Sequence, residues 1–177
     1  VLNIYSTSNS VQLHTTVGDF NCSKCVVAVN GFANYLLKKL DVKPARAQVL
    51  ITKPIKNLKL KGTFHFDKGY YYFRNIDERV LLGGARNIDF ETETTDKFEL
   101  NLKIQKKLEI FLKETILPET NFEIEHRWCG IMGVGNEKKP IIEFVNKNVL
   151  AAVRMGGMGV AIGSAVGLKA AQLIAKS

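Results

Sequence analysis

Asn148–Gly163 reads NVLAAVRMGGMGVAIG, an apolar strand that passes through a glycine loop into an apolar helix running from about Val160 to the end of the chain. The run from Val149 to Val153 has no polar alternation, which is the pattern of a strand buried on both faces. Gly156, Gly157 and Gly159 tolerate positive φ and, having no Cβ, let a ligand come close to the main chain. The first amides of a helix lack partners and its dipole favours negative charge there, so strand, glycine loop and helix start together present N–H groups to an anionic group. A dinucleotide pyrophosphate needs more than this: GxGxxG, then a second strand with an acidic residue about twenty positions on. From Gly157 the spacing is GMGVAIG, one residue too long, and Val160 to Ser177 contain neither a strand pattern nor an acidic residue. The loop therefore does not hold a pyrophosphate. It reads as a contact for some other group, or as close packing of helix on strand through small residues.

Outward from the loop, Ile141–Val145 reads as another strand, and FEIEHRWCGIMG is extended before Gly130, Gly133 and Gly135 open a loop to Pro140. Between Asp96 and Thr115, Leu100, Ile104, Leu108, Phe111 and Leu112 recur at helical spacing, with Lys106, Lys107 and Lys113 on the other side. That is the pattern of a surface helix covering a sheet. Four strand patterns precede it, ARAQVLITK, GTFHFD, GYYYFRNI and ERVLLGGAR, with turns at Pro54, Asp67-Lys68-Gly69 and Asp77-Glu78. The amino-terminal segment gives LNIYS and VQLHTT, a turn at Val17-Gly18-Asp19, a buried strand from Cys25 to Val29, a turn at Asn30-Gly31-Phe32 and a short helix from Ala33 to Leu40. The expected class is α+β: a mostly antiparallel sheet with a covering helix, flanked by parts of a second domain.

The 177 residues suit one domain or a large piece of one, with 46% hydrophobic and 24% charged residues. No apolar run is long enough for a membrane span. The first residues read as strands entered part-way, without the basic and apolar regions of a signal peptide, so the chain is expected to be a carboxy-terminal piece of a longer protein. A net charge of +8 raises the question of nucleic acid, but the lysines between Lys38 and Lys61 are scattered over strands and loops with no recognition helix or zinc finger beside them. A basic solvated surface and no nucleic-acid partner is the expectation. Cys22 and Cys25 form CSKC, a spacing shared by redox dithiols and half zinc sites, but Cys129 stands alone and His14, His65 and His126 supply no ligand spacing. No metal is expected, and unpaired cysteines point to a reducing cytoplasm.

Four segments together resemble the flavoenzyme family that includes D-amino-acid oxidase, glycine oxidase, sarcosine oxidase and gamma-glutamylputrescine oxidase. KCVVAVNGF is similar to the strand and turn that lead out of the FAD domain. PARAQVLIT resembles the first strand of the substrate sheet, with a basic residue at Arg46. GYYYFR with RVLLGGAR resembles the central hairpin of that sheet, which in the family lies over the flavin and supplies aromatic side chains to the substrate. HRWCGIMG, KKPIIEF and VRMGGMGVAIG resemble the return into the FAD domain and the final loop against the isoalloxazine.

The resemblance implies an enzyme that oxidises an amine or amino acid by hydride transfer to FAD. It divides the chain into the end of a FAD domain (1–40), a substrate domain (41–128) and a return to the FAD domain (129–177). FAD would be held by the full-length parent with its missing amino-terminal FAD-binding region, and the piece alone would neither retain FAD nor turn over. Cofactor contacts are expected at Arg46, Gly156, Gly157, Met158, Gly159 and Val160, and substrate contacts at Tyr70, Tyr72, Arg74, Arg86 and Trp128; no catalytic residue is assigned. One departure bears on the substrate. The amino-acid-using relatives hold a carboxylate with arginines at the positions of Met132 and Gly157 here, so either Arg74, Arg86 or Arg154 substitutes or the substrate lacks that carboxylate. Plainer readings stand beside these. Tyr70 and Tyr72 share one sheet face and Tyr71 and Phe73 the other, so one pair is core; Trp128 is a core candidate; Arg74 and Arg86 have Asp77 and Asp89 as possible surface partners. A non-catalytic binding domain that kept the fold is the alternative function.

Overall fold

The computed structural model describes Val1–Ser177. In chain order the elements are β1 (Asn3–Ser6), β2 (Val11–Thr15), β3 (Gly18–Cys22), β4 (Cys25–Val27), α1 (Ala33–Leu36), β5 (Lys43–Thr52), β6 (Thr63–Phe66), β7 (Tyr71–Ile76), β8 (Arg79–Gly84), α2 (Leu102–Phe111), β9 (Ile124–Val134), β10 (Ile141–Asn146), β11 (Val149–Val153) and α3 (Gly159–Lys176). They form two compact units, Val1–Ala45 with Met132–Ser177, and Arg46–Ile131. The class is α+β with mostly antiparallel strands.

In the first unit β1, β2 and β3 make an antiparallel meander, while β11 pairs antiparallel with β10 and parallel with β4. The apolar run of β11 has the expected cause. Leu150 and Ala152 pack on one side with Val166 and Ala170 of α3, and Ala151 and Val153 on the other with Ala33, Val42 and Ile141. Val149 closes a third cluster with Val11 and Val27 from the meander side. Two expectations need correction. The strand at Cys25 is only part buried, since Val27 is 3% exposed but Val26 is 39%. The helix at Ala33 ends at Leu36, because Leu37 turns out of helical backbone at φ −131° and ψ 76°; Leu37 and Leu40 still pack on the Ala33 cluster.

The second unit is a sheet in the order β6-β7-β8-β5-β9, in which β6 with β7, β7 with β8 and β8 with β5 pair antiparallel. One face carries Leu50, Tyr71, Val80 and Leu82, which bury against Ile104, Leu108, Phe111 and Leu112. α2 is thus the covering helix, and full burial of each aliphatic side chain there contributes about 1.5 to 3 kcal/mol. Its start is Leu102, six residues later than the periodicity from Asp96 suggests. Asn101 caps it, accepting from the amides of Lys103 and Ile104 at 3.1 and 3.3 Å. The residues before it stay outside the helix because their carbonyls are engaged elsewhere: Lys97 O accepts from Arg46 and Glu99 O from Gln48. At its other end the helix widens into a π turn from Leu112 to Ile116, closed by Leu117 N to Leu112 O at 2.8 Å. β9 also runs further than expected, through Val134, so Gly130 and Gly133 lie within a strand.

Candidate functional site

The glycine loop bridges β11 and α3 in the first unit, and bonds made by Arg154, Met155 and Gly156 fix its entry. Arg154 takes left-handed backbone at φ +64°, and its guanidinium bonds Asp41 Oδ2 at 2.7 Å and Lys139 O at 2.8 Å. Met155 N donates to the Asn30 carboxamide at 3.0 Å, and Gly156 N to Gly133 O at 2.9 Å. Gly133 has to be glycine for this, since a Cβ there would stand 2.5 Å from Asn30 Oδ1 and 3.0 Å from the Asn30 carbonyl carbon. Neither Asn30 nor Gly133 was singled out by sequence. Asn30-Gly31 reads as a turn, and nothing local says that its side chain reaches a loop more than a hundred residues away.

Beyond that anchor Gly156 and Gly157 adopt φ +58° and +85°. Met158 N folds back to Met155 O at 2.9 Å, and Met158 O accepts from Ala161 N and Ile162 N. The N–H groups of Gly157, Gly159 and Val160 have no partner, at the start of an 18-residue helix with no side-chain cap. Met158 and Val160 beside them are exposed, Val160 completely. The loop is therefore not explained by close helix packing alone: a Cβ at Gly156 would meet nothing within 4 Å. Three unpartnered amides and a dipole end are what an electron-rich ring edge or an anion requires. Met132 and Gly157, the positions where relatives carry arginines, adjoin one another, with Met132 Sδ 3.2 Å from where a Gly157 Cβ would stand. An apolar thioether thus lies beside the loop where a cation is absent.

In the second unit the alternation of β7 separates core from surface. Tyr71 is buried against Phe111, with ring centroids 4.7 Å apart, and Phe73 packs on the same cluster. Tyr72 faces the other way, its ring lying across Gly83, where a Cβ would be 2.5 Å from both Cζ and Oη. Burial holds its phenol above the ordinary tyrosine range. Trp128 shares that face, because its neighbour Arg127 reaches α2 through Gln105 and Glu109; at 40% exposure Trp128 is no core residue. Arg74, two residues from Tyr72, is exposed and has neither hydrogen-bond nor ion-pair partner. Tyr70 precedes the strand and is 39% exposed, edge-on to Phe90 at 6.0 Å.

Arg86 lies close to the same ring. Its guanidinium carbon sits 4.9 Å from the Phe90 centroid, Nη2 donates to Thr94 Oγ1 at 3.2 Å, and the buried Nε has no partner. Neither Asp77 nor Asp89 pairs with it or with Arg74; Asp89 Oδ2 accepts instead from Asn101 at 3.0 Å. Arg46 departs from its expected role. It faces α2, opposite to Tyr72, with its side chain 4% exposed. Nη2 meets Glu93 Oε1 at 2.7 Å, Nε lies 3.1 Å from both Glu93 oxygens, and Nη1 donates to Lys97 O at 3.2 Å. A guanidinium with all three nitrogens engaged in the core offers nothing to a cofactor. Glu93, fully buried, also accepts from Gln48 and Asn101. Sequence missed it because ETETTD reads as a solvated acidic loop.

No helix is long and apolar enough to cross a membrane, and no group of three or more His, Cys, Asp or Glu side chains is placed to hold a metal ion. Cys22, Cys25 and Cys129 are free thiols, those of Cys25 and Cys129 pushed up by burial.

Comparison with curated protein sequences gives no match. Solved structures match closely in fold. The crystal structure of L-proline dehydrogenase from P. horikoshii aligns with a TM-score of 0.82 at 22% identity over 98% of this chain and 48% of that one. Glycine oxidase from Geobacillus kaustophilus aligns at 0.79 and 20% identity over 100% and 48%. Iminodiacetate oxidase from Chelativorans sp. BNC1 aligns at 0.75 and 17% over 95% and 47%. The chain thus spans about half the length of these proteins. The profile of one family, DAO, FAD dependent oxidoreductase, matches residues 1–173. With nearly the whole sequence covered, and with the fold of these oxidoreductases, the chain belongs to the DAO family of FAD-dependent oxidoreductases.

Proposed function

We propose that this chain supplies the carboxy-terminal half of a flavoenzyme that oxidises an amine or amino acid, and that Gly156–Val160 is its contact with the flavin ring. The observation that carries the reading is the trio of unpartnered amides at Gly157, Gly159 and Val160, set on a loop that Asn30, Gly133 and Arg154 hold in place. The fit is chemical. FAD, when bound, supplies the acceptor for the hydride lost from the carbon next to the substrate nitrogen. Preorganised N–H groups stabilise charge that develops at a ring edge without reorganising. The helix dipole adds to them.

On the sheet, Tyr70, Tyr72, Arg74, Arg86 and Trp128 are the proposed substrate contacts. Tyr72 is fixed by Gly83 and buried enough to keep its phenol neutral, so it orients a substrate by hydrogen bonding rather than by taking a proton. Hydride transfer depends on such positioning more than on an acid or base, which accords with the absence of a paired carboxylate or histidine among these residues. The relatives are about twice as long as the chain, so activity and FAD retention are assigned to the whole protein and not to this half. Three free thiols favour a reducing, cytoplasmic setting.

The test is the visible spectrum of the full-length protein during anaerobic addition of single amines and amino acids. Near-stoichiometric flavin that is bleached by one of them is the expected result. A purified, folded protein with no flavin band would refute the reading.

A further inference from the structure

Three stretches of the first unit meet at one carboxylate. Asp41 lies in the connection between α1 and β5, just before β5 begins, and Asn136 lies just after β9 ends. Asp41 Oδ2 accepts from Asn136 N at 2.8 Å and from Arg154 Nη1 at 2.7 Å, and the Asp41 carbonyl accepts from the same Nη1 at 3.3 Å. Arg154 Nε donates to Lys139 O at 2.8 Å, in the loop that Asn136 opens. The side chains of Arg154 and Asp41 are 8% and 33% exposed, so this charge-assisted bond lies largely out of water. Gly135 leaves room for it, since a Cβ there would stand 2.4 Å from Asp41 O and 2.6 Å from Arg154 Cδ.

The pair coincides with an unfavourable backbone. Arg154 sits at φ +64°, a left-handed conformation that a residue with a Cβ adopts at a cost and glycine adopts freely. A chain that needed only the turn would be better served by glycine. The arginine is explained by its guanidinium, which ties the turn to Asp41 and Lys139. The next two amides, Met155 N and Gly156 N, go to Asn30 and Gly133, and the unpartnered amides at Gly157, Gly159 and Val160 follow directly.

We infer that Asp41 is a positioning residue for the flavin contact: acting through Arg154, it holds the left-handed turn on which the placement of the Gly157, Gly159 and Val160 amides depends. This rests on the assignment of the loop to the flavin and extends it to a residue more than a hundred positions away. It also occupies Arg154, which is therefore not free to hold a substrate carboxylate.

The test is the midpoint potential of the flavin in the full-length protein, measured with FAD in excess for the parent, Arg154→Gly, Asp41→Asn and the double variant. Arg154→Gly keeps the turn, because glycine accepts φ +64°, and removes the clasp; its melting temperature should stay near that of the parent. Loosened amides stabilise the reduced, electron-rich ring less. Each single variant should therefore bind reduced flavin about 10-fold more weakly relative to oxidised flavin, the size of one hydrogen bond to a charged group, which lowers the potential by about 30 mV for a two-electron couple. The double variant should fall no further, because both changes break the same link. Arg154→Lys, which keeps the charge but cannot reach Asp41 and Lys139 O together, should fall by less than Arg154→Gly. Failure of a folded single variant to hold FAD counts in the same direction as a lowered potential. The inference is overturned if either single variant keeps the parent's potential, or if the two shifts add in the double variant. A folded parent without flavin refutes the flavin reading itself, whereas a flavin-replete parent whose potential neither change moves refutes this inference alone.

Discussion

Replacing Arg46 by Met tests whether that residue belongs to the core or to a cofactor. Arg46 and Glu93 are 4% and 0% exposed, and the pair is joined by Nη2 at 2.7 Å and Nε at 3.1 Å. Removing the cation leaves a buried carboxylate with only the neutral donors Gln48 and Asn101, at 3.1 and 3.0 Å. Breaking a buried pair from one side costs about 3 to 5 kcal/mol, because the remaining charge is uncompensated. Glu93→Gln should cost a similar amount, since it removes the charge and turns an amide donor toward the guanidinium. At ~2 to 4 °C per kcal/mol, either variant should lower the melting temperature of the full-length protein by roughly 6 to 20 °C. Removing both charges in Arg46→Met/Glu93→Gln should cost less than the sum of the single changes by ~1 to 3 kcal/mol. Thermal and urea unfolding of the four proteins, with flavin content recorded for each, supplies the cycle. If Arg46→Met melts like the parent but loses flavin while Glu93→Gln is silent, the core assignment is wrong and Arg46 contacts the cofactor.

Three further outcomes are expected. Gly133→Ala forces a Cβ to within 2.5 Å of Asn30 Oδ1, so it should displace the Asn30 bond to Met155 N, cost about 1 to 3 kcal/mol and loosen flavin; Asn30→Ala should reproduce the flavin effect, and equilibrium dialysis of FAD against both variants checks this. Tyr72 has a folded pKa above the unfolded value of about 10, so its contribution to stability is complete below that pH and lost as pH rises through the folded value; Tyr72→Phe should flatten the alkaline fall in unfolding free energy, and an unchanged slope would count against the burial. Cys25 and Cys129, both raised chiefly by burial, should be alkylated by iodoacetamide at pH 8 more slowly than free cysteine, and mass spectrometry of the labelled peptides would show otherwise if they are exposed thiolates.

What sequence made legible was local. β11 stands out because residues buried on both faces leave an unbroken apolar run, and the β7–β8 hairpin because alternation and the Asp77-Glu78 turn lie within one short stretch. The split of Tyr71 from Tyr72 followed from the pleat alone. What failed depended on distant partners. Leu100 fits the helical period of α2, yet the backbone beside it bonds to Arg46 and Gln48 of β5, and no periodicity reports that competition. Arg46 was assigned to the cofactor by resemblance, from the basic residue that relatives carry there, and its partner Glu93 lies in a polar run that looks solvated. The glycine loop was found by its spacing, but which amides remain free depends on Asn30 and Gly133, whose roles arise only when β4, β9 and β11 come together.

The central claim concerns those free amides, and hydrogen exchange measures them directly. In the full-length protein with and without FAD, read by mass spectrometry on peptides covering Met155–Ile162, the cofactor should slow exchange at Gly157, Gly159 and Val160 while Met155 and Gly156, already bonded to Asn30 and Gly133, change little. Exchange at the three that is unaltered by FAD, in a protein that binds it stoichiometrically, would contradict the assignment of this loop to the flavin.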